Sequence, residues 1–177
     1  MSLSSSDLLP RLRAVRLFLC DVDGVLTDGT VVMGPGGEWK TFDIRDGLGL
    51  RLLQMQGIKV GWVSARPSTA TSDRAADLKV DYVLQSSTPK VTLIEGLLSE
   101  TGLAWEQVSF IGDDVLDLGT LRRAGFSAAP ADAMPEAKAL AHYVCAAGGG
   151  RGAVREVVEM ILKAQGHWDA LVEKFAA

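Results

Sequence analysis

A doubly wound α/β sheet of parallel strands, interrupted by one β-hairpin, is the fold class this sequence predicts. Three observations predict it. Short apolar runs recur along the whole chain, amphipathic helical stretches separate them, and a single glycine-rich interruption follows the first run. Uniformly apolar strands joined by helices require a sheet whose two faces are both covered. The 177 residues, 47% hydrophobic and 23% charged, suffice to bury such a core as one domain over 1–177.

Leu17–Cys20 reads as the first strand. Thr30–Met33 and Glu38–Phe42 are strand-like and flank Gly34-Pro35-Gly36-Gly37, the signature of a hairpin occupying about 29–43. Such an insertion has no partner in the main sheet, so it is expected to protrude. Asp46–Met55 carries apolar residues at helical spacing, with Leu48, Leu52, Leu53 and Met55 on one side, and Gly57 stops it. Lys59–Val63 and Tyr82–Leu84 are the next strands, separated by room for about one helix, too little for a covering domain. Pro89–Thr101 begins with Pro in its first turn behind Ser87 and Thr88, and ends at Gly102. Val108–Ile111, Phe126–Ala129 and His142–Cys145 complete the strands, and Ala153–Ala164 is a last amphipathic helix.

Twenty-two acidic against eighteen basic residues give a net charge of −4. That balance argues against nucleic acid or an anionic membrane as the main partner and leaves room for a small anion in a local cationic pocket. No apolar run approaches the roughly 20 residues that span a bilayer. The opening MSLSSSDLLPRLR lacks the basic and long apolar regions of a secretory leader, so a cytoplasmic location is expected. Cys20 and Cys145 cannot form a disulfide framework and read as small core residues. His142 and His167 are isolated and lack metal-ligand spacing.

In a parallel α/β sheet, ligands bind beyond the carboxyl ends of the strands. Asp21-Val22-Asp23-Gly24-Val25-Leu26-Thr27-Asp28-Gly29 follows the first strand, and Ser64-Ala65-Arg66 follows the second. Lys90 opens the helix after the third, and Gly112-Asp113-Asp114-Val115-Leu116-Asp117 follows the fourth. Each piece alone has a bland reading as a turn, a cap or a surface residue. Together, in order at successive strand ends, they make a phosphoryl-transfer kit. A carboxylate nucleophile splits phosphomonoester hydrolysis into two steps through an aspartyl phosphate. A second carboxylate two residues on can protonate the leaving oxygen and then activate water. Clustered carboxylates call for a hard cation, and Mg²⁺ suits a few carboxylates together with waters and a phosphate oxygen. A hydroxyl and an amine can hold the phosphoryl oxygens.

At these residues the chain resembles a known superfamily. CDVDGVLTDG, VSAR, TPK and IGDDVLD are similar to the four motifs of the haloacid dehalogenase-like phosphatases, which have a Rossmann-like core. EWKTFDIRDGLGLRLL, DYVLQ and GGGRGAVREVVEMIL extend the resemblance to the capless branch that acts on 3-deoxy-D-manno-octulosonate 8-phosphate, over Leu17 to Gly166. The resemblance implies Asp21 as nucleophile and Asp23 as general acid/base. It implies Mg²⁺ held by Asp21, Asp113 and the backbone carbonyl of Asp23. Asp114 would orient metal-bound water and Lys90, and Ser64 would bind phosphate together with Lys90. Asp43, Ile44, Arg45, Asp46, Gly47, Arg51, Arg66 and Arg74 match positions that line the sugar site in those enzymes. Ser64-Ala65-Arg66 stands where Thr-Gly-Arg is commoner, and Pro67 follows it. The resemblance further implies a homotetramer whose hairpins pack centrally and whose neighbours cover each active site.

The substrate so implied is a small sugar-acid phosphate, and an arginine fork suits its carboxylate. Arg66 and Arg74 lie about two helical turns apart, with Asp73 or Asp77 as alternative partners. Val31, Met33, Trp39 and Phe42 are the apolar hairpin residues available to an interface, or to the hairpin's own domain. Gly148–Gly152 either approaches a neighbour's site or caps the last helix. The competing activities are a phosphatase for a nine-carbon nonulosonate 9-phosphate and a non-catalytic phosphatase-like oligomerisation module. The presence of both Asp21 and Asp23 speaks against the second. A two-component receiver domain uses similar residues, but with its acid pair and lysine in a different order along the chain.

Overall fold

The computed structural model describes residues 5–177. Residues 1–4, part of the segment read for a secretory leader, lie outside the described residues. The chain begins with α1 (Ser5–Ala14), β1 (Leu17–Cys20), β2 (Val32–Gly34), β3 (Gly37–Trp39) and α2 (Ile44–Met55). It continues through β4 (Lys59–Ser64), α3 (Thr69–Asp77), β5 (Tyr82–Gln85), α4 (Lys90–Thr101) and β6 (Val108–Ile111). The last elements are α5 (Leu118–Arg123), β7 (Phe126–Ala129), α6 (Pro135–Leu140), β8 (Tyr143–Val144), α7 (Ala153–Ala164) and α8 (Trp168–Ala176).

Six strands form one sheet in the order β5-β4-β1-β6-β7-β8, with every pairing parallel. Strand side chains alternate between faces, and here both faces are apolar. Phe18 and Cys20 of β1, with Val60 and Trp62 of β4, face a core that α1, α2 and α7 close through Leu8, Leu12, Leu50, Leu53 and Val157. Leu17 and Leu19, with Val108 and Phe110, face the opposite core, closed by Ile94 and Leu97 of α4 and Leu121 of α5. β1 lies between β4 and β6, so the chain leaves it in both directions. That reversal opens a crevice at the carboxyl end of β1, the usual ligand position in such a sheet.

β2 and β3 form a separate antiparallel pair. Gly34 faces Gly37 across a two-residue turn, with Pro35 leading and Gly36 at φ +91°, the dihedral a type II turn requires there. The hairpin is shorter than expected, but it does more than protrude. Beyond Trp39 the chain alternates, Lys40 and Phe42 turning inward and Thr41 outward. Phe42 stacks on Trp62 of the core at 6.0 Å and 17°.

The inward face of α2 differs from the expected one. Asp46, Leu50 and Leu53 are buried, whereas Leu48 and Met55 are exposed at 47% and 42%. The helix lies against α7, and Gly49 lets it approach Val158 there. Asp46 shows why its stripe starts on a charged residue. Its Oδ1 accepts the Arg155 N–H at 2.7 Å, satisfying one of the unpaired donors in the first turn of α7. Burial, with the Asp43 charge adding to it, pushes the Asp46 carboxyl up to about 6 against the opposing Arg155 hydrogen bond. Asp46 is therefore a packing group between two helices. α1, α5, α6 and α8 were not foreseen. Two of them span only six residues, too short to show helical periodicity, and Pro10 disguises α1.

Candidate active site

The loop after β1 is built by its own backbone. Asp21 N donates to Ile111 O at 2.9 Å, extending the sheet by one residue, and Leu26 and Thr27 N–H groups then close on Val22 O. The buried Thr27 hydroxyl accepts from Gly24 N at 3.3 Å and Gly29 N at 3.2 Å, drawing the loop into a ring. Gly24 has φ +87°, and a Cβ there would lie 2.0 Å from Asp113 Oδ2. Only glycine allows both that backbone and that approach. The loops after β1 and β6 meet because of it.

Lys90, the first residue of α4, is the cation at their junction. Its ammonium lies 2.8 Å from Asp21 Oδ2 and 2.6 Å from Asp117 Oδ1, with its side chain 3% exposed. Burial works to lower the Lys90 pKa, but Asp21 and Asp117 outweigh it and raise the group above its ordinary value. Asp117 is fully buried, and its Oδ2 accepts the Asp113 N–H at 3.0 Å. A Cβ on Gly112 would lie 2.5 Å from the Asp117 carboxyl carbon, so the glycine makes room for that carboxylate.

Asp21, Asp113 and Asp117 each offer an oxygen, all within 4.8 Å of one another. Burial first, then the Asp21 and Asp117 charges, pushes Asp113 up to about 7. Burial and Asp117 likewise push Asp21 up to about 6 against the pull of Lys90. Asp113 Oδ1 is buried without a hydrogen-bond partner. One lysine among three close carboxylates leaves negative charge uncompensated, and the donor atoms are hard oxygens. The arrangement fits a small divalent cation such as Mg²⁺. Asp117 already spends its oxygens on Lys90 and on backbone N–H groups, so Asp21 and Asp113 are the open ligands.

Ser64 ends β4, and its hydroxyl receives the Arg66 N–H at 3.1 Å. Asp21, Asp23, Ser64, Arg66, Lys90 and Asp113 line one cleft of about 180 Å³, which also includes Asp114. The hairpin reaches this cleft. Lys40 pairs with Asp23 and, at 3.2 Å, with Glu38, while Glu38 Oε2 lies 2.5 Å from Arg66 Nη2.

Asp114 lines the cleft without the expected contact to Lys90, and the remaining expected residues lie outside the cleft. Asp114 makes no hydrogen bond or ion pair with Lys90; its carboxylate caps the following turn by accepting Val115 N–H at 2.6 Å. Asp117, one turn later, is the residue that orients Lys90. Asp43 and Arg45 pair at 2.7 Å and line a neighbouring hollow of about 230 Å³ with Thr41, Gly150 and Arg151. Arg51 donates to Gln54 and to Leu78 O, tying α2 to the end of α3. Arg74 pairs with Asp77 at 2.5 Å and covers the buried Gly47, where a Cβ would sit 2.6 Å from its guanidinium. Ile44 is 79% exposed. Gly150 N donates to Val25 O at 2.9 Å, so the glycine-rich loop packs on the loop after β1 of its own chain. His142 Nδ1 accepts Ser127 N–H, a structural tie, and both cysteines are free and buried. Among the described residues, no helix is long and apolar enough to cross a membrane.

Residues 82–154 match the family of haloacid dehalogenase-like hydrolases. The 3-deoxy-D-manno-octulosonate 8-phosphate phosphatase of Escherichia coli K12 is 39% identical over 166 residues, covering 93% of this chain and 88% of that protein. Its counterpart in Yersinia pestis is 41% identical over 162 residues, covering 91% and 87%. Among solved structures, the Moraxella catarrhalis phosphatase of that name, in complex with magnesium, phosphate and a KDO molecule, is similar with a TM-score of 0.94. It shares 35% identity, covering 97% of this chain and 99% of the other. A cobalt-bound deoxy-D-mannose-octulosonate 8-phosphate phosphatase from Haemophilus influenzae has a TM-score of 0.85 and 39% identity, covering 88% and 92%.

Proposed function

Because the chain belongs to the haloacid dehalogenase-like family of 3-deoxy-D-manno-octulosonate 8-phosphate phosphatases, we propose that it hydrolyses that sugar-acid phosphate, a Mg²⁺-dependent step in making lipopolysaccharide precursors. The observation that carries the reading is the buried Lys90 bridging Asp21 and Asp117, with the open carboxylate of Asp113 beside them. A structural ion pair would need one acid; two acids on the lysine and a third facing them leave an excess of negative charge that calls for a cation beside the phosphoryl group.

Asp21 attacks phosphorus, and an Asp21–phosphorus bond forms as the bond from phosphorus to the sugar oxygen breaks. Asp23 gives its proton to that departing oxygen, then takes one from the water that attacks the phosphorylated Asp21. The second displacement releases phosphate and restores Asp21. Lys90 and the Ser64 hydroxyl hold the phosphoryl oxygens as their charge shifts. Asp21, Asp113 and the Asp23 carbonyl would hold Mg²⁺, which when bound relieves carboxylate repulsion and draws electron density from the phosphoryl oxygens. Asp117 fixes Lys90 in place.

Arg66 reads the sugar carboxylate from the mouth of the cleft, where its side chain is 45% exposed and held by Glu38. A panel of phosphate esters tests the reading. With Mg²⁺, release should be fastest from 3-deoxy-D-manno-octulosonate 8-phosphate, slower from nonulosonate 9-phosphates, and lost on chelation. Arg66→Ala should lower kcat/KM for the octulosonate about ten- to a hundredfold, the worth of one charge-assisted bond, and leave p-nitrophenyl phosphate nearly unchanged. Full turnover in a chelator, or no preference for sugar acids, would overturn it.

The active assembly is a cytoplasmic homotetramer joined through the hairpins. Val31, Val32, Met33 and Trp39 are 49–72% exposed, a dense apolar tip for so short an insertion. The sugar-site residues that lie outside their own cleft, Asp43, Arg45, Arg51 and Arg74 among them, belong to the surface a neighbour meets. Light scattering should give about four times the 18.8 kDa subunit mass, falling to smaller species in Met33→Glu/Trp39→Glu. An unchanged mass in that variant would remove the hairpin from the interface.

A further inference from the structure

Resting on the phosphatase reading above, we infer that Lys40, carried just beyond β3 of the hairpin, is the positioning residue that sets the Asp23 carboxylate for proton transfer to the leaving oxygen. The Lys40 side chain is 1% exposed, an unusual depth for a lysine in a surface insertion. Its ammonium bonds Asp23 Oδ1 and lies 3.2 Å from Glu38, whose other oxygen holds Arg66. Asp23 Oδ2 is buried without a hydrogen-bond partner. The carboxylate therefore has one polar handle among the described residues, and Lys40 is that handle.

The handle is itself fixed from two sides. Phe42, two residues on and turned inward like Lys40, stacks on the core residue Trp62. On the other side the Glu38–Arg66 pair ties the hairpin to the turn that follows Ser64 at the end of β4. The backbone that carries Lys40 is thus referenced both to the core and to the phosphate end of the cleft. A general acid must come within about 2.6–3.2 Å of the oxygen it protonates, and displacement by about 1 Å can cost about a hundredfold. A loop carboxylate with a free torsion has no such precision by itself.

The test is the dependence of rate on leaving group in the full-length enzyme. Log kcat/KM for a series from p-nitrophenyl through phenyl to ethyl phosphate, plotted against leaving-group pKa, reports how far the departing oxygen is protonated. In Lys40→Met the slope should steepen. p-Nitrophenyl phosphate, which needs no proton, should stay within about twofold, whereas ethyl phosphate and the octulosonate phosphate should fall about ten- to a hundredfold. Lys40→Arg should restore part of the slope. Glu38→Gln, which loosens Lys40 without removing it, should steepen the slope measurably against wild type, and an unchanged slope there overturns the inference if the methionine variant does not fold. An equal fall across the whole series would make Lys40 a structural residue. A fall on the sugar phosphate alone would make it a substrate contact, and an unchanged slope would make it a bystander; each overturns the inference. Wild-type enzyme that releases no phosphate from any ester would instead overturn the phosphatase reading.

Discussion

Asp21→Asn is expected to lower turnover of the octulosonate phosphate by about 10⁴-fold or more while the protein stays folded, because the amide keeps the shape of the side chain and lacks its nucleophilic oxygen. The local structure supports this separation of effects. The Asn oxygen can still accept the Val22 N–H that Oδ1 receives at 2.6 Å; its amide NH2 then replaces the Oδ2 facing Lys90, which loses that contact and keeps Asp117. One of three close carboxylates also loses its charge, which relieves repulsion in a buried cluster. The relieved repulsion offsets part of the lost Lys90 contact, so the melting temperature should change little, and phosphate release should fall to background on every ester in the panel. Near-normal release from pure variant would exclude the covalent route. A fall confined to sugar phosphates would mean that Asp21 binds sugar.

Asp21 was legible as a site residue because position in the fold is legible. Strands of four to six apolar residues separated by helices fix which loops share one end of a parallel sheet, so Asp21, Ser64, Lys90 and Asp113 could be placed together from order alone. Asp117 could not. It sits among Val115, Leu116 and Leu118, and only the tight turn after Asp114 brings its carboxylate back under Lys90. Spacing along a loop does not determine which of three acids points inward. Lys40 and Glu38 escaped for the opposite reason. They read as strand residues of a protruding hairpin, in which Glu38, Lys40 and Phe42 share one side and Trp39 and Thr41 the other. Alternation separates two faces but does not say which one turns toward the domain. Asp46 and the true inward face of α2 were hidden because the stripe pairs a buried acid with small Gly49, and hydrophobicity marks neither.

Removing the cation on which the cluster depends should be costly twice over. In Lys90→Met, Asp21 and Asp117 face each other across an apolar side chain, and breaking a buried pair in this way typically costs about 3–5 kcal/mol. For a chain of this size that corresponds to a melting temperature lower by roughly 6–20 °C. Turnover should fall by about a thousandfold or more, since the phosphoryl oxygens lose a preorganised positive charge. The two losses have different origins, and a double variant separates them. Adding Asp117→Asn to Lys90→Met removes the second buried charge, so much of the thermal stability should return. Turnover should not, because nothing replaces the ammonium at the phosphoryl group. Strong non-additivity in stability beside no recovery in rate is the expected signature of residues that share one contact. If Lys90→Met melts like the wild type, the Asp21–Lys90–Asp117 cluster is not held together by charge. If the double variant regains activity along with stability, Lys90 acts through the fold and does not touch the transferring phosphate.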